Sequence, residues 1–400
     1  MVTLRGMEYV LSFLLVPYLL RTLGPERYGA IVFMQGIIAY LGLFMNYSFG
    51  ITAPREVARA EEKEWPRIFS GYFWGIVFLC MAGTAAFFLI YFLLHTVRGV
   101  QLDFPLFLAL YTGVLGGIFF PIWFFQGIQQ MRYITIFNLV GRFTTFGGIF
   151  LLVREPSDYV VCAFLQSCTA LMAGILSMGL LFHSFPGLLR KPDISYIFKL
   201  YREGWKIFIS SLAVNLYTTT DIVLLGIFTN HTIVGYYSGA DKLILCIRNG
   251  VGAVNQAVYP YISRLMEKSR KEAMAFLKKQ YYIYIACGLA GGILLVILAP
   301  WGVPWLFGNR YIPSIRPLQI MAFVPLVVAM SNVLGYETML PLNMEKEYTG
   351  TLFLAAVLNL VIIIPLIKLW GAEGAAVSLM ITETFITALM WIILKRKKVI

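Results

Sequence analysis

The chain has 400 residues, of which 59% are hydrophobic and only 13% are charged, and its net charge is +12. Soluble proteins have a charged fraction of roughly 25%, so the composition excludes a soluble enzyme and indicates an integral membrane protein. Because about twelve spans of roughly 20 residues would use most of the chain, no room remains for a soluble catalytic domain.

Twelve apolar stretches follow one another along the chain and predict about 12 transmembrane helices in an all-α protein. The first six lie at about 9–23, 30–51, 68–94, 104–129, 135–153 and 159–182. The last six lie at about 207–229, 233–261, 281–299, 318–340, 349–369 and 372–394. A basic segment, 183–206, separates the two sets. We therefore predict an N-terminal lobe at 1–182, a linker at 183–206 and a C-terminal lobe at 207–400.

Landmarks of the first half return in the second. Gly29 in LLRTLGPERYGAIVF corresponds to Gly235 in the stretch from Tyr217 to Lys242, and Tyr133 corresponds to Tyr348. Six spans in each half give both halves the same orientation. The sequence thus predicts two parallel repeats related by an axis along the membrane normal.

Lysine and arginine set the predicted orientation. They are concentrated in the even-numbered loops and at the C-terminus, as in 190–206, 264–279 and 395–398, and are sparse in the odd-numbered loops. The positive-inside rule then places both termini in the cytoplasm. The same distribution explains the basic charge without a nucleic-acid partner.

Several kinds of site are not signalled by the sequence. The five cysteines lie in apolar runs, which argues against a disulfide framework. The three histidines are far apart, so no metal site is predicted, and no GxxxxGK[ST] motif for nucleotide binding occurs. No cleavable signal peptide is evident, and the short first span suggests that N-terminal sequence is missing. The longest predicted outer loop, 300–317, has no acidic residue or histidine for a membrane polymerase or ligase.

Five motifs carry a resemblance to a known family. In the first half, LGPERYG, NYSFGITAPREVAR and PIWFFQGIQQMRYITIFNLVGR resemble Wzx-type oligosaccharide flippases of the multidrug/oligosaccharidyl-lipid/polysaccharide exporter superfamily. The second half resembles the same family in two motifs, SSLAVNLYTTTDIVLLGIFTNHTIVGYYSGADKL and MLPLNMEKEYTGTLFLAAVLNL. The chain departs from the family in a first span about ten residues shorter, and in Glu337, where a neutral polar residue is expected.

The resemblance implies two six-helix lobes around a central cavity in the bacterial cytoplasmic membrane. It implies a non-enzymatic flippase that moves undecaprenyl-diphosphate-linked oligosaccharides for O-antigen, capsule or exopolysaccharide synthesis. The implied partners are the lipid-linked substrate, membrane lipids and other polysaccharide-assembly membrane proteins. No cofactor is implied, and coupling to H⁺ or Na⁺ is left open. The alternatives are a cation-coupled drug antiporter of the same superfamily and a membrane polysaccharide polymerase or ligase.

Cationic candidates for the diphosphate are Arg142, Lys242 and Arg248, because an arginine fork binds two phosphate oxygens at once. In the eighth span, two adjoining stripes repeat every seven residues, which is nearly two helical turns. The stripes consist of Asp241, Arg248 and Asn255, and of Lys242, Asn249 and Gln256. Such stripes favour a polar cavity, and the alternative is hydrogen bonding between helices. Arg142 alternatively snorkels or pairs with a carboxylate.

Amides supply the candidate sugar ligands, namely Asn46, Asn138, Asn215, Asn249 and Gln256. Arg55 either contacts the phosphates of the substrate as it enters, or only fixes the orientation of the second span in the membrane. Trp123 and Gln126 either contact sugar or anchor a span at the interface. The candidate ion-coupling carboxylates are Asp221, Glu337 and Asp241, because ionisable groups within spans are costly and usually face a bundle interior. Asp241 alternatively lies near a helix end and reaches the interface.

Overall fold

The computed structural model of the chain describes residues 2–98 and 103–399, and within them the side chains outside 2–14, 94–98, 210–211 and 213–219. The described backbone is helical, with short 3₁₀ segments and turns between the helices and no strand. Because apolar spans must satisfy their backbone groups internally, a helix is the expected state of every predicted span. The prediction of an all-α integral membrane protein is confirmed.

The helices of the first half follow the predicted spans, with two breaks. They are α1 (Val2–Asn46), α2 (Phe49–Arg59), α3 (Trp65–Arg98), α4 (Phe104–Ile118), α5 (Ile122–Gly127), α6 (Met131–Leu152) and α7 (Tyr159–Ser184). In α1, Gly24 adopts φ 70° and ψ 173°, which divides the helix into two segments. Glycine tolerates positive φ because it has no Cβ. The fourth predicted span is divided at Pro121, the residue that directly precedes α5.

The helices of the second half include several long ones. They are α8 (Ile194–Phe228), α9 (His231–Lys268), α10 (Arg270–Phe307), α11 (Ile315–Met321), α12 (Val324–Leu334), α13 (Glu345–Trp370) and α14 (Ala372–Arg396). A π-helical turn, Gly335–Met339, continues α12. Asn230 caps α9, because its side chain accepts a hydrogen bond from the Ile233 backbone N–H at 3.0 Å.

Membrane-spanning length is reached by nine helical stretches of the described residues, with the part of α1 from Leu15 joined to α2 as one stretch. The helices α8 and α9 are two further long ones, and Gly24 divides α1 so that its first part, which overlaps the first stretch from Leu15, forms a helix of its own. This agrees with the predicted number of about twelve spans.

The chain divides into two compact units. Unit 1 contains Met34–Leu212 together with the chain up to Leu15. Unit 2 contains Val16–Phe33 and Ala213–Ile400. A short segment that precedes residue 34 in the sequence therefore packs with the C-terminal half.

In unit 1, α7 packs against both α4 and α6. Gly116 lets α4 contact the α7 backbone at Leu171. Across the other contact, Thr145 Oγ1 donates a hydrogen bond to the Leu165 carbonyl at 2.8 Å. Small and hydroxylated residues allow such close approach inside a membrane, where hydrophobicity alone does not hold helices together.

In unit 2, the two glycines predicted to be equivalent lie at one contact. A Cβ on Gly29 would overlap the His231 carbonyl oxygen, and a Cβ on Gly235 would overlap the Pro25 carbonyl oxygen. Both positions require glycine, because the segment around Gly24 packs directly on the first turns of α9. Nearby, Arg21 Nε donates to the Leu306 carbonyl at 2.9 Å, near the end of α10.

Two predicted loops are partly or largely helical. The segment 183–206 is helical from Ile194, where α8 begins. The outer loop predicted at 300–317 is shorter in the structure, because α10 continues to Phe307 with Pro300 and Pro304 inside it and α11 begins at Ile315. Prolines suggested that loop, yet a membrane helix tolerates them where neighbouring groups satisfy the freed carbonyls.

Candidate functional site

A charged pair lies inside unit 2, where α9 packs against α14. Arg248 Nη2 is 3.4 Å from Glu383 Oε1, and the two side chains are 26% and 6% exposed. Unpaired charges inside a membrane span cost several kcal/mol by most measures. Each partner therefore makes the burial of the other tolerable.

Asp221 of α8 lies near this pair and is only 4% exposed. It is within electrostatic range of Asp241, Glu383 and the Asn359 side chain. Among the described residues, no group donates a hydrogen bond to Asp221 Oδ1. The carboxyl is therefore a buried acceptor with spare capacity.

Asn359 of α13 links Asp221 to α14. Its Nδ2 donates to Ser378 Oγ and to Thr382 Oγ1, both at 3.3 Å. Its Oδ1 accepts no hydrogen bond within the described part of the chain. Two unsatisfied oxygens, on Asp221 and Asn359, thus lie in one buried cluster. The carboxylate oxygen can bind a proton, and both kinds of oxygen can bind small hard cations.

The α9 stripes differ in burial. Asp241 and Arg248 are partly buried and Asn255 is buried, whereas Asn249 and Gln256 are exposed and Lys242 is partly buried. The first stripe therefore joins the interior of unit 2, while the second is open along most of its length. Asp241 lies within electrostatic range of Lys242 and Arg248.

A second polar network in unit 2 surrounds Glu337, which is 0% exposed. Gln280 Nε2 donates to Glu337 Oε1 at 3.2 Å and to Tyr284 Oη at 3.3 Å. Tyr284 Oη donates to Asn255 Oδ1 at 2.6 Å. The network therefore connects the π-helical turn to α10 and α9.

In unit 1, a basic cavity of about 840 Å³ is formed by the end of α2, the start of α3 and the start of α8. The cationic side chains that line it are Arg55, Arg59, Lys63, Arg67, Arg190 and Lys199. The acidic ones are Glu56, Glu64, Asp193 and Glu203. Cations thus outnumber carboxylates, which suits an anionic ligand.

Glu56 is occupied within this basic cavity. It accepts hydrogen bonds from Tyr72 Oη at 2.8 Å and from Tyr196 Oη at 2.5 Å. Burial raises the pKa of Tyr196, and the bond to Glu56 acts in the same direction. Tyr196 therefore stays a donor, and the Glu56 oxygens that it and Tyr72 occupy are less available to Arg55, which is exposed one residue earlier.

Unit 1 also contains a cavity of about 650 Å³ lined mostly by small and apolar side chains, with a few polar and aromatic ones among them. Asn46 and Gln126 line it, and Gln35 Nε2 donates to Gln166 Oε1 across it at 2.7 Å. Trp123 is buried there and packs on Phe69 and Tyr72. This places Trp123 in the interior of the unit and beside a cavity that could hold a sugar.

The remaining predicted residues are dispersed. Asn138 and Arg142 lie one turn apart on α6 in unit 1 and are partly buried. The side chain of Asn215 lies outside the described residues.

Glu383, Asn359, Gln280 and Tyr284 were not among the predicted site residues. Glu383 carried a usable signal, because it is an acidic residue within an apolar span, as Asp221 and Glu337 are. The neutral side chains carried a weaker signal, since asparagine, glutamine and tyrosine in spans often only join helices.

Known proteins similar to this chain were identified at three levels. The family model described as "Polysaccharide biosynthesis protein" matches residues 1–266. The chain is 29% identical over 405 aligned residues to the "Putative O-antigen transporter" of Escherichia coli strain K12, covering 99% of this chain and 95% of that protein. It is 28% identical to the protein of the same description from Shigella dysenteriae, covering 96% of each.

Solved structures show the same fold at low sequence identity. A structure described as "Lipid II flippase MurJ, inward closed conformation" has a TM-score of 0.77 and 12% identity, covering 98% of this chain and 87% of that chain. An inward-facing multidrug resistance MATE family transporter has a TM-score of 0.69 and 13% identity, covering 98% and 94%. The twelve-helix exporter fold predicted from the sequence is thereby confirmed.

Proposed function

Because this chain belongs to the polysaccharide biosynthesis protein family, as a Wzx-type member of the multidrug/oligosaccharidyl-lipid/polysaccharide exporter superfamily, we propose that it is a lipid-linked oligosaccharide flippase. It moves undecaprenyl-diphosphate-linked oligosaccharides across the cytoplasmic membrane for surface polysaccharide synthesis. The observation that carries this proposal is the family match over residues 1–266, supported by similarity over almost the full length of the O-antigen transporters. Transport without chemistry on the substrate is proposed.

The charged pair of unit 2 suggests how a diphosphate is bound and released. Arg248 forms an ion pair with Glu383 in this structure. A diphosphate carries more charge than one carboxylate and offers two oxygens to a guanidinium fork. In the proposed cycle, the substrate displaces Glu383 from Arg248, and Glu383 returns when the substrate leaves. Arg142 and Lys242 complete the proposed cationic set.

Entry of the substrate is assigned to the basic cavity of unit 1. Arg55 and Arg59 stand one turn apart on α2 and are exposed. Lys63 lies 2.6 Å from Glu61, which makes it the matched control. Arg55→Ala is expected to slow uptake of the diphosphate more than Lys63→Ala does, because only the former removes an arginine fork.

The sugar portion is assigned to amides, following the sequence. Asn46 lines the interior cavity of unit 1, although its Nδ2 also donates to the Gly42 carbonyl at 3.0 Å. Asn249 and Gln256 are exposed along α9 and free to meet a polar ligand. Asn138 and Asn215 complete the proposed sugar-binding set.

Energy coupling is proposed to involve H⁺ or Na⁺ at the buried carboxyls, namely Asp221, Glu337 and Asp241. Two negative charges that cross outward move down an inside-negative potential, which contributes about 2.3 kcal/mol per charge per 100 mV. Return of the empty carrier with net cationic sites would be opposed by the same field. The pairing of Arg248 with Glu383 lowers that positive charge.

The proposed location is the bacterial cytoplasmic membrane with both termini in the cytoplasm, and with the halves 1–182 and 207–400 acting as the two lobes. Lys191, Lys271 and Asn309 are exposed, so thiols introduced there can be labelled. Impermeant reagents should reach positions 191 and 271 from the inner face and position 309 from the outer face. Labelling of 271 and 309 from one side would overturn this orientation.

Reconstitution tests the proposed function directly. Purified protein in liposomes should move a fluorescent undecaprenyl-diphosphate oligosaccharide between leaflets, detected by an impermeant quencher. Folded protein that leaves this lipid in place but exchanges a cationic dye for ions would be an antiporter instead. Lengthening of the glycan would indicate a polymerase.

A further inference from the structure

Glu337 occupies an unusual place in the backbone. It lies in the π-helical turn Gly335–Met339, directly after α12. The turn packs closely, because a Cβ on Gly335 would approach Met390 Sδ and Tyr348 Cε2 to 2.8 Å. Single π-helical turns occur often at functional sites, since they change the direction in which a side chain points.

The polar atoms around Glu337 are incompletely satisfied. Glu337 Oε1 accepts from Gln280 Nε2, but Glu337 Oε2 has no hydrogen-bond partner among the described residues. Gln280 Oε1 and Asn255 Nδ2 are likewise buried without a partner there. Since most buried polar groups in native proteins are hydrogen-bonded, three such atoms in one network call for an explanation.

The groups that face Glu337 do not neutralise a negative charge. Within the described residues, no lysine, arginine or histidine forms an ion pair with it, whereas Glu383 in the same unit pairs with Arg248. The titratable side chains near it are the tyrosines Tyr284 and Tyr336, and Tyr259 and Tyr348 lie next to Tyr336. An ionised carboxylate buried without a cation is strongly disfavoured.

We infer that Glu337 is a proton-binding site of unit 2 and that its carboxyl holds a proton in the conformation of this structure. A proton on Oε2 removes the charge and turns an unsatisfied acceptor into a donor. The amide nitrogen of Gln280 lies toward both Glu337 and Tyr284. An N–H group that points at the carboxyl disfavours a metal ion there, because a metal ion requires several oxygens that converge on it.

A cavity of about 470 Å³ lies beside the site. The cavity is lined by Thr338, the residue after Glu337, and by Tyr281, the residue after Gln280. Lys278 lines it as well. In the proposal, the proton exchanges with water by way of this neighbouring cavity.

The consequence for transport rests on the proposed flippase function. A neutral Glu337 lets α10 and α12 pack in the present arrangement, while its ionisation would favour a state in which the carboxyl meets water. Uptake and release of one proton would then bias the two states of the carrier.

The test uses full-length protein in lipid, without substrate, and infrared difference spectra recorded as pH is changed. The spectra should contain a protonated-carboxyl component that is present at low pH, disappears as pH rises and is missing in Glu337→Gln, whatever bands the other buried carboxyls contribute. Gln280→Met removes the donor that favours the ionised form, so it should raise the pH at which this component is lost. Glu267→Gln, which removes an exposed carboxyl of α9, should leave this component unchanged.

Spectra in which Glu337→Gln removes no protonated-carboxyl component, or a midpoint that Gln280→Met does not raise, would overturn the assignment. Loss of this component when Na⁺ replaces K⁺ at fixed pH would identify a metal-ion site instead. Gln280→Met keeps the carboxyl, so it tests the proposal even if Glu337→Gln does not fold. Because no substrate is present, a negative result here is distinct from failure of the flipping assay.

Discussion

Charge is arranged differently in the two units. In unit 1 it lies on the walls of an open cavity, with pairs such as Lys199 and Glu203, whose side chains are 65% and 62% exposed. Unit 2 has exposed pairs too, such as Arg316 and Glu373, but it also holds charge in its interior, in the pair of Arg248 and Glu383. Exposed charges attract an anionic ligand, but their own energy depends little on any single partner, because water and salt screen them. Buried charges depend on their partners strongly, so only they can report a change of state.

A second contrast lies within unit 2. Glu383 has a permanent cation at 3.4 Å, whereas Glu337 has an amide at 3.2 Å. The first carboxylate can stay ionised because Arg248 balances it. The second requires a positive charge from outside the protein, which is why we assign it an exchangeable proton.

The largest effect is expected when Arg248 is replaced. Arg248→Met leaves Glu383 buried without its cation, which should lower the free energy of unfolding by about 3–5 kcal/mol. The loss should shrink as pH falls, because a protonated Glu383 needs no counter-charge. Thermal unfolding in detergent at several pH values measures both effects.

The double variant and a neighbouring lysine provide the controls. Arg248→Met combined with Glu383→Gln should recover most of the stability, because no unpaired charge remains. Lys242→Met should have a smaller effect, since no ion pair to Lys242 is seen among the described residues. Equal destabilisation by Arg248→Met and Lys242→Met would show that the ion pair with Glu383 does not distinguish Arg248.

Replacing Tyr284 should have the next largest effect on stability. Tyr284→Phe deletes the hydrogen bond to Asn255 Oδ1 and leaves that buried oxygen without a donor. Such a loss costs about 1–3 kcal/mol. Tyr282→Phe is the matched control, because Tyr282 is exposed on the same helix. A Tyr284→Phe protein as stable as the control would show that the network around Glu337 is not structural.

Asp221→Asn should change transport more than stability. Amide and carboxyl have similar shape, so folding and substrate binding should persist, while turnover falls on the order of tenfold, equivalent to about 1.4 kcal/mol. The loss should grow with the imposed potential, since a missing carboxylate leaves the empty carrier more positive. Parental turnover at every potential would exclude Asp221 from the return step.

The sequence was sufficient to predict the fold because the signals were long and repeated. Twelve apolar stretches require helices in a membrane. The equivalence of Gly29 and Gly235 was visible from the repeat, but their direct contact was not. That contact depends on residues 16–33 packing within unit 2, which no local pattern specifies.

The site was predicted only in part, for a related reason. An ionisable residue in an apolar span can be read from sequence, and that rule found Asp221 and Glu337 and applies equally to Glu383. Its partner cannot be read in this way, because Arg248 and Glu383 lie on different helices far apart in the chain. Likewise, the seven-residue spacing on α9 gave two stripes, and only packing decided which one was buried.

The smallest effect is expected at the exposed pair of unit 1. Lys199 Nζ lies 3.8 Å from Glu203 Oε1, one helical turn away on α8. Exposed pairs of this spacing contribute about 0.3–0.5 kcal/mol, because water screens them and two long side chains must be ordered. Lys199→Ala should therefore shift thermal unfolding barely at all, and high salt should abolish the difference. A loss approaching that of Arg248→Met would mean that charge in unit 1 is as structural as charge in unit 2, and the contrast between the units would fail.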